Sequence, residues 1–214
     1  MSETRKMPFR IVITGGPCGG KTTCMARLVE EFTERGFRVY VIPEVPSILL
    51  GAGVDLGSLD RDGFLSFERN LIGLQLTMEE TFIDLGRRSA EPCIILCDRG
   101  TMDPAAYVDA EMWQAILDAE GWSESTLCHE RYDAVIHLVS AAIGAESFYT
   151  TENNAVRLET PAQAADLDRK VEAAWANHRN RHVIDNRTDF RRKIDRVVST
   201  IDALVQGTES IDLT

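Results

Sequence analysis

Apolar residues follow two alternating rhythms along the chain. Short runs rich in Val, Ile and aromatic residues at 9–14 (FRIVIT), 37–42 (FRVYVI), 93–97 (CIILC), 134–139 (AVIHLV) and 182–184 (HVI) predict five strands. Between them the spacing changes to that of a helix. Met25, Leu28, Val29 and Phe32 fall at i, i+3, i+4 and i+7, with Gly36 placed to end the helix. Phe64, Phe67, Leu71, Leu74, Met78, Phe82 and Leu85 mark one stripe of a long helix stopped by Gly86. Asp103-Pro104 has the form of an N-cap followed by proline, and 109–120 predicts a helix closed by Gly121. Thr160-Pro161-Ala162-Gln163 is a capping box opening a helix with Leu167, Val171, Ala174 and Trp175 on its apolar face. The last helix begins near Thr188 and is expected to bury Phe190, Ile194, Val197, Val198, Ile201 and Val205. The stretch 51–63, with four glycines at 51, 53, 57 and 63, reads as a mobile loop. Strand–helix alternation without repeat or linker predicts an α/β fold: one doubly wound, mainly parallel sheet with helices on both faces, as one domain over 1–214 with its core at about 8–205. Ligands of such sheets bind beyond the carboxyl ends of the strands, so residues just after each strand carry the chemical argument.

Composition narrows the class. The chain has 214 residues and a net charge of −11, which argues against nucleic-acid binding through overall charge. No apolar run is long enough to span a membrane, and residues 1–6 lack the apolar core of a leader peptide, so a cytoplasmic location is expected. Cysteines at 18, 24, 93, 97 and 128 form no C-x-x-C pair and are expected to be reduced thiols. The four histidines show no metal-binding spacing.

The strongest chemical signal follows the first strand. Gly15-Gly16-Pro17-Cys18-Gly19-Gly20-Lys21-Thr22 matches G-x-x-x-x-G-K-[ST], with Thr23 next to it. A backbone that wraps a phosphate with its N–H groups inward needs glycine's freedom, and the positive end of the following helix points at the anion. Lys21 is placed to neutralise β/γ oxygens of ATP or GTP, and the Thr22 hydroxyl to ligate Mg²⁺. The motif lies between a strand and an amphipathic helix, the setting that separates a P-loop from a chance glycine-rich turn.

Two carboxylates complete the pattern. Asp98 ends the strand 93–97 where a Walker-B residue would support Mg²⁺, followed by Arg99 and Gly100, although aspartate is also an ordinary turn former. Glu44 closes the second strand within Val41-Ile42-Pro43-Glu44-Val45-Pro46, where it could take the proton of an acceptor hydroxyl; the competing reading is a surface glutamate between two prolines. No N-K-x-D, no D-x-x-G after Asp98 and no L-S-G-G-Q occur, which disfavours small switch GTPases and ABC ATPases.

These motifs carry a family resemblance. The P-loop, V-x-x-V-P-E-x at the second strand end, D-R-G-x-x-D-x-x-A-Y (Asp98, Arg99, Gly100, Asp103, Ala106, Tyr107) and Y-D-x-V-I-x-L resemble the NadR-like AAA-domain family of P-loop kinases. The tail from Arg157 to Ile194, R-L-E-T-P-x-x-A-x-x-L-D-R-K-V-x-x-A-W…I-D-N-x-T-D-F-x-x-K-I, resembles the nucleotide-binding domain of the TRPL translocation defect protein. The likeness spans roughly residues 8–205. It implies a nucleoside-kinase-like fold using ATP or GTP with Mg²⁺. The kinase branch implies transfer of a phosphoryl group to a nucleoside; the trafficking branch implies a GTP- and phosphoinositide-binding regulator with a further C-terminal domain, which this chain is expected to lack.

Other candidates are positional. A lid is expected at about 140–160, with Arg157 stabilising phosphoryl charge and Glu159 orienting it, unless the two merely pair with each other. Gln75 and Glu68 lie on the long helix facing core or cleft; the kinase resemblance implies that Gln75 could read a base, with a solvated helix face as the plainer expectation. Asn186, after the fifth strand, is a candidate for the donor base. Residues 179–196 hold seven Lys/Arg against three Asp, which could contact phosphates or membrane lipid but reads first as the wet face of a helix. The leading expectation is a phosphotransferase joining a nucleoside triphosphate to a small-molecule acceptor; a regulatory nucleotide binder and a water-using NTPase are its rivals.

Overall fold

A computed structural model describes residues 7–149 and 160–211, with side chains to residue 207. Five strands, β1 (Phe9–Thr14), β2 (Arg38–Ile42), β3 (Cys93–Asp98), β4 (Ala134–Leu138) and β5 (Arg181–Ile184), form one sheet in the order β2-β3-β1-β4-β5. Every pairing is parallel, with Ile11 opposite Leu96 on one side and Ala134 on the other. The three central strands are the most apolar because helices cover both their faces. The edge strands β2 and β5 alternate more and are less buried.

Helices α1 (Lys21–Glu34), α2 (Val45–Gly51), α3 (Arg61–Arg87), α4 (Ala110–Glu120), α5 (Pro161–Ala174) and α6 (Phe190–Ile211) connect the strands. Pleating divides the core in two. Ile11, Ile13, Ile94, Leu96 and Ile136 pack beneath α1 and α6, while Val12, Ile95, Cys97 and Val135 pack beneath α3, α4 and α5. Local signals set most helix ends. Asp60 and Asp109 accept from Gly63 N (2.8 Å) and Met112 N (2.8 Å), and the Thr160–Gln163 capping box is formed. The doubly wound fold class is therefore observed.

Four local expectations need correction. The glycine-rich loop is shorter than 51–63, because Pro46 sits in the first turn of the short helix α2 and Gly63 already lies inside α3. Gly86 does not stop α3; a Cβ there would come 2.6 Å from Pro8 Cγ and 2.9 Å from Cys93 Sγ, so glycine permits helix and sheet to touch. The buried face of α3 is rotated from the apolar stripe: Leu85 is exposed, whereas Glu68 (4% exposed) and Gln75 (3%) are buried. Phe190 is 49% exposed rather than core, since α6 begins at the mouth of the cleft described next.

Candidate active site

The sheet brings the residues that follow its strands to one edge. In spatial order these are Glu44 after β2, Asp98 and Arg99 at the end of β3, the glycine loop after β1, Ser140 after β4 and Asn186 after β5. All but the buried Ser140 border a cleft of about 1660 Å³. That exceeds the roughly 300–1,000 Å³ of a single small-molecule site and leaves room for donor and acceptor together.

The loop from Gly15 to Gly20 is built by close approach. Gly15 has φ +134°, and a Cβ on it would lie 2.1 Å from the Leu138 carbonyl oxygen. A Cβ on Gly19 would lie 2.6 Å from the same atom, so β4 itself forms the floor of the loop. Lys21 folds back over the loop, donating to Gly15 O (2.8 Å) and Gly16 O (3.0 Å). Burial and the neighbouring Arg99 charge lower its ammonium to about 8, against the pull of Asp98, Glu44 and Asp103.

Sequence patterns alone could not assign the residues that hold this loop. Asp168, on α5, accepts from Gly16 N (2.7 Å) and Ser140 N (3.0 Å) and meets His137 Nε2 at 3.3 Å. Burial pushes its carboxyl up, but the His137 contact and the two N–H donors outweigh that and hold it below the usual range. Lys193, counted by sequence among the solvated charges of the last helix, is in fact buried and donates to Gly19 O. Asn186 is turned into the protein: its Nδ2 donates to Ser140 O (2.8 Å) and Ile143 O (2.7 Å), and its Oδ1 accepts from Lys193. Its side chain thus ties down the β4–α5 loop while the residue still lines the cleft. No local pattern signals these roles: Asp168 lies in the middle of α5, and Lys193 is one of three successive cations in α6.

On the β2 side, Glu44 forms an ion pair with Arg99 Nε and accepts from Ser47 Oγ (2.6 Å). Burial raises the Glu44 carboxyl, but Arg99 and Ser47 together hold it below the ordinary glutamate value, so it is ionised at neutral pH. Arg99 adopts a left-handed backbone, φ +70°, that turns it off the end of β3, and its N–H bonds Ile13 O (3.1 Å). Its Nη1 is buried with no hydrogen-bond partner. Beneath it, Asp103 accepts from Gly100 N (2.7 Å), Thr14 Oγ1 and Trp175 Nε1, which fixes the D-R-G turn. Arg157, Glu159 and residues 150–159 of the expected lid lie outside the described residues.

Gln75 and Glu79 of α3 form a separate buried network. Glu79 accepts from Gln75 Nε2 (2.8 Å) and Tyr132 OH (2.6 Å) and pairs with Arg131 Nε at 3.1 Å. The expected solvated face is thus a buried polar one. Tyr132 in turn accepts from Thr101 N (3.0 Å), so the network braces the turn after β3 from below.

The fit of Mg²⁺ can be judged from the donors present. Asp98 Oδ1 is buried and has no hydrogen-bond partner, and Thr22 lines the same cleft. Among the described residues no cluster of three or more His, Cys, Asp or Glu could hold a metal by itself. That donor set suits Mg²⁺, which takes one or two protein ligands and completes its shell with phosphate oxygens and water.

Comparison with known proteins agrees with this geometry. A family model described as "AAA domain" matches residues 10–193. The chain belongs to that AAA-domain family. Among solved structures, this AAA-domain protein is similar to deoxyadenosine kinase from M. mycoides, determined with bound dATP: the TM-score is 0.56 at 15% identity, covering 91% of this chain and 99% of that one. At that identity the likeness is one of fold. No curated protein matches the chain. Among the described residues no helix is long and apolar enough to cross a membrane.

Proposed function

We propose that this protein is a Mg²⁺-dependent phosphotransferase, a member of the NadR-like branch, that moves the γ-phosphoryl group of ATP or GTP to a hydroxyl of a small, nucleoside-like acceptor. The observation that carries the reading is an ionised Glu44 and an Arg99 with an unpartnered Nη1 facing a phosphate loop across one cleft. β2 lies two strands from β1, roughly 10 Å at the usual strand spacing, which leaves an acceptor-sized gap between Glu44 and the loop. The kinase of similar fold was determined with a deoxynucleoside triphosphate bound, which supports the same use of this cleft.

In this reading the triphosphate lies along the loop, with Lys21 against its β/γ oxygens. The acceptor hydroxyl donates to a Glu44 oxygen; each already accepts one bond but retains a second lone pair. As the acceptor oxygen bonds to the γ-phosphorus and the β–γ bridge breaks, the hydroxyl proton passes to Glu44 and the nucleoside diphosphate leaves. Proton removal is late in a loose transition state, so a carboxylate of low basicity suffices. Arg99 and, beyond the described residues, Arg157 offset the phosphoryl charge. Thr22 and Asp98 would hold Mg²⁺, and the charge neutralisation it would supply at the phosphate is the chemistry these two residues bring to the site.

The test is Glu44→Gln, assayed with Mg-ATP and Mg-GTP against a panel of nucleosides. Phosphoryl transfer is expected to fall about 10²–10⁴-fold, the usual worth of a general base, with triphosphate affinity unchanged. Undiminished turnover would refute the assignment of Glu44. The tail motif from Arg157 to Ile194 favours a second reading, a regulatory GTP- or ATP-binding protein of the trafficking type in which a membrane phosphoinositide is the partner. Tight triphosphate binding by the parent without product from any acceptor would select it, and phosphate release without an acceptor would select a hydrolase.

A further inference from the structure

Lys193 sits in the first turn of α6, where the unsatisfied N–H groups of a helix disfavour a cation. It is also only 2% exposed. Its Nζ donates to Val139 O (2.6 Å), Asn186 Oδ1 (2.8 Å) and Gly19 O (3.1 Å), three neutral oxygens. Among the described residues no carboxylate forms an ion pair with it; Asp168 acts on it from a distance. Burial lowers its ammonium to about 8, which leaves it largely protonated at neutrality. Burying an ammonium carries a desolvation cost, and its three partners here are neutral oxygens with no carboxylate among them.

The hydrogen bond to Gly19 explains what the lysine does there. Three successive loop carbonyls are held from behind: Pro17 O by Ser140 Oγ, Cys18 O by Ala141 N (3.2 Å) and Gly19 O by Lys193 Nζ. None of these peptides is cis, so each N–H points opposite to its carbonyl. The N–H groups of Cys18, Gly19 and Gly20 thereby point away from these anchors, and the three residues, with Ala141 and Lys193, line the cleft. Two of the three are set by neutral donors, and the third by a full positive charge.

We propose that Lys193 is a positioning residue of the phosphate loop: it aims the Gly20 N–H and places beside the loop a positive charge that a bound polyphosphate tail compensates more fully than the distant Asp168 and Asp185 carboxylates do. The inference rests on the loop being a triphosphate site. Because the charge meets the tail and not the base, its effect extends to any Mg²⁺-bound polyphosphate, including one with no nucleoside.

The experiment titrates the parent, Lys193→Met and Lys193→Gln with Mg-ATP, Mg-GTP and Mg-tripolyphosphate by calorimetry, and records the melting temperature of each free protein. Lys193→Met removes charge and donor; Lys193→Gln keeps a neutral donor, and serves also if the methionine variant fails to fold. The expected order of affinity for tripolyphosphate is parent, then glutamine, then methionine, with at least a tenfold loss for methionine. Lys193→Met is expected to melt below the parent, because Gly19 O, Val139 O and Asn186 Oδ1 lose a donor, and Lys193→Gln to melt near it. A loss of tripolyphosphate affinity by the glutamine variant without lower melting is a result that a merely structural role would not produce. Equal affinities of the parent and the glutamine variant, or an affinity loss by that variant matched by lower melting, would overturn the inference. Failure of the parent itself to bind any of the three would instead strike the triphosphate site.

Discussion

Asp168 offers a direct measure of how much the phosphate loop depends on a residue 152 positions away in sequence. Asp168→Ala removes the acceptor of two buried N–H groups, Gly16 N and Ser140 N, and leaves them without a partner. Each orphaned donor costs about 1–3 kcal/mol, so the pair sets a loss of about 3 kcal/mol, taking each at about 1.5 kcal/mol within that range. For a protein of this length that lowers the melting temperature by roughly 6–12 °C. Asp168→Asn keeps an acceptor oxygen but loses its charge, and charge-assisted bonds are about twice as strong as neutral ones, so about half the loss is expected. Asp166→Ala, on the same helix, breaks only an exposed pair with Lys170 at 3.0 Å and is expected to change stability by less than about 0.5 kcal/mol. The carboxyl of Asp168 is depressed in the folded state, so its contribution is complete above the unfolded value of 3.8 and disappears as pH falls through the lower folded value. Thermal unfolding of all four proteins at neutral pH, repeated in acid, checks both points. Asp168→Ala melting alongside Asp166→Ala, or a parent–Asn gap that does not narrow below pH 3.8, would refute the reasoning.

Three further substitutions probe backbone and network. Gly15→Ala places a Cβ 2.1 Å from the Leu138 oxygen at φ +134°, whereas Gly36→Ala at φ +86° meets nothing within 4 Å. Denaturant titration is expected to show about 1 kcal/mol lost at Gly36, the conformational cost alone, and about 3 kcal/mol or more at Gly15; equal losses would mean that the contact with β4 carries no weight. Glu79→Ala leaves Tyr132 OH and Gln75 Nε2 without their acceptor and Arg131 without this carboxylate, so a loss of about 3–4 kcal/mol is expected in the same titration. A value under about 1 kcal/mol would show that the network does not brace the turn after β3.

The residues themselves determined the alternation of strands and helices, the parallel sheet it implies, the capping box at Thr160 and the phosphate loop. These are local properties: a 3.6 or 2.0 residue period, a cap bonded within four residues, a run of glycines at a strand end. The sequence also placed Glu44, Asp98 and Arg99 correctly at strand ends, because in a parallel sheet all such ends share one edge. It could not read the buried face of α3. Glu68, Gln75 and Glu79 are polar residues on a helix that has a convincing apolar stripe, and only the packing of Tyr132 and Arg131 against Glu79 shows why burial is tolerated. Nor could it tell Lys193 from the arginines beside it. Residues 191, 192 and 193 are three successive cations on one helix, and successive positions point about 100° apart. Which of the three turns toward Gly19 depends on where α6 lies against α1 and β4, a matter of long-range packing. Phosphate chemistry is written in a contiguous motif because one backbone segment must wrap the anion; the groups that hold that segment in shape come from β4, α5 and α6, and only the folded sheet brings them behind it.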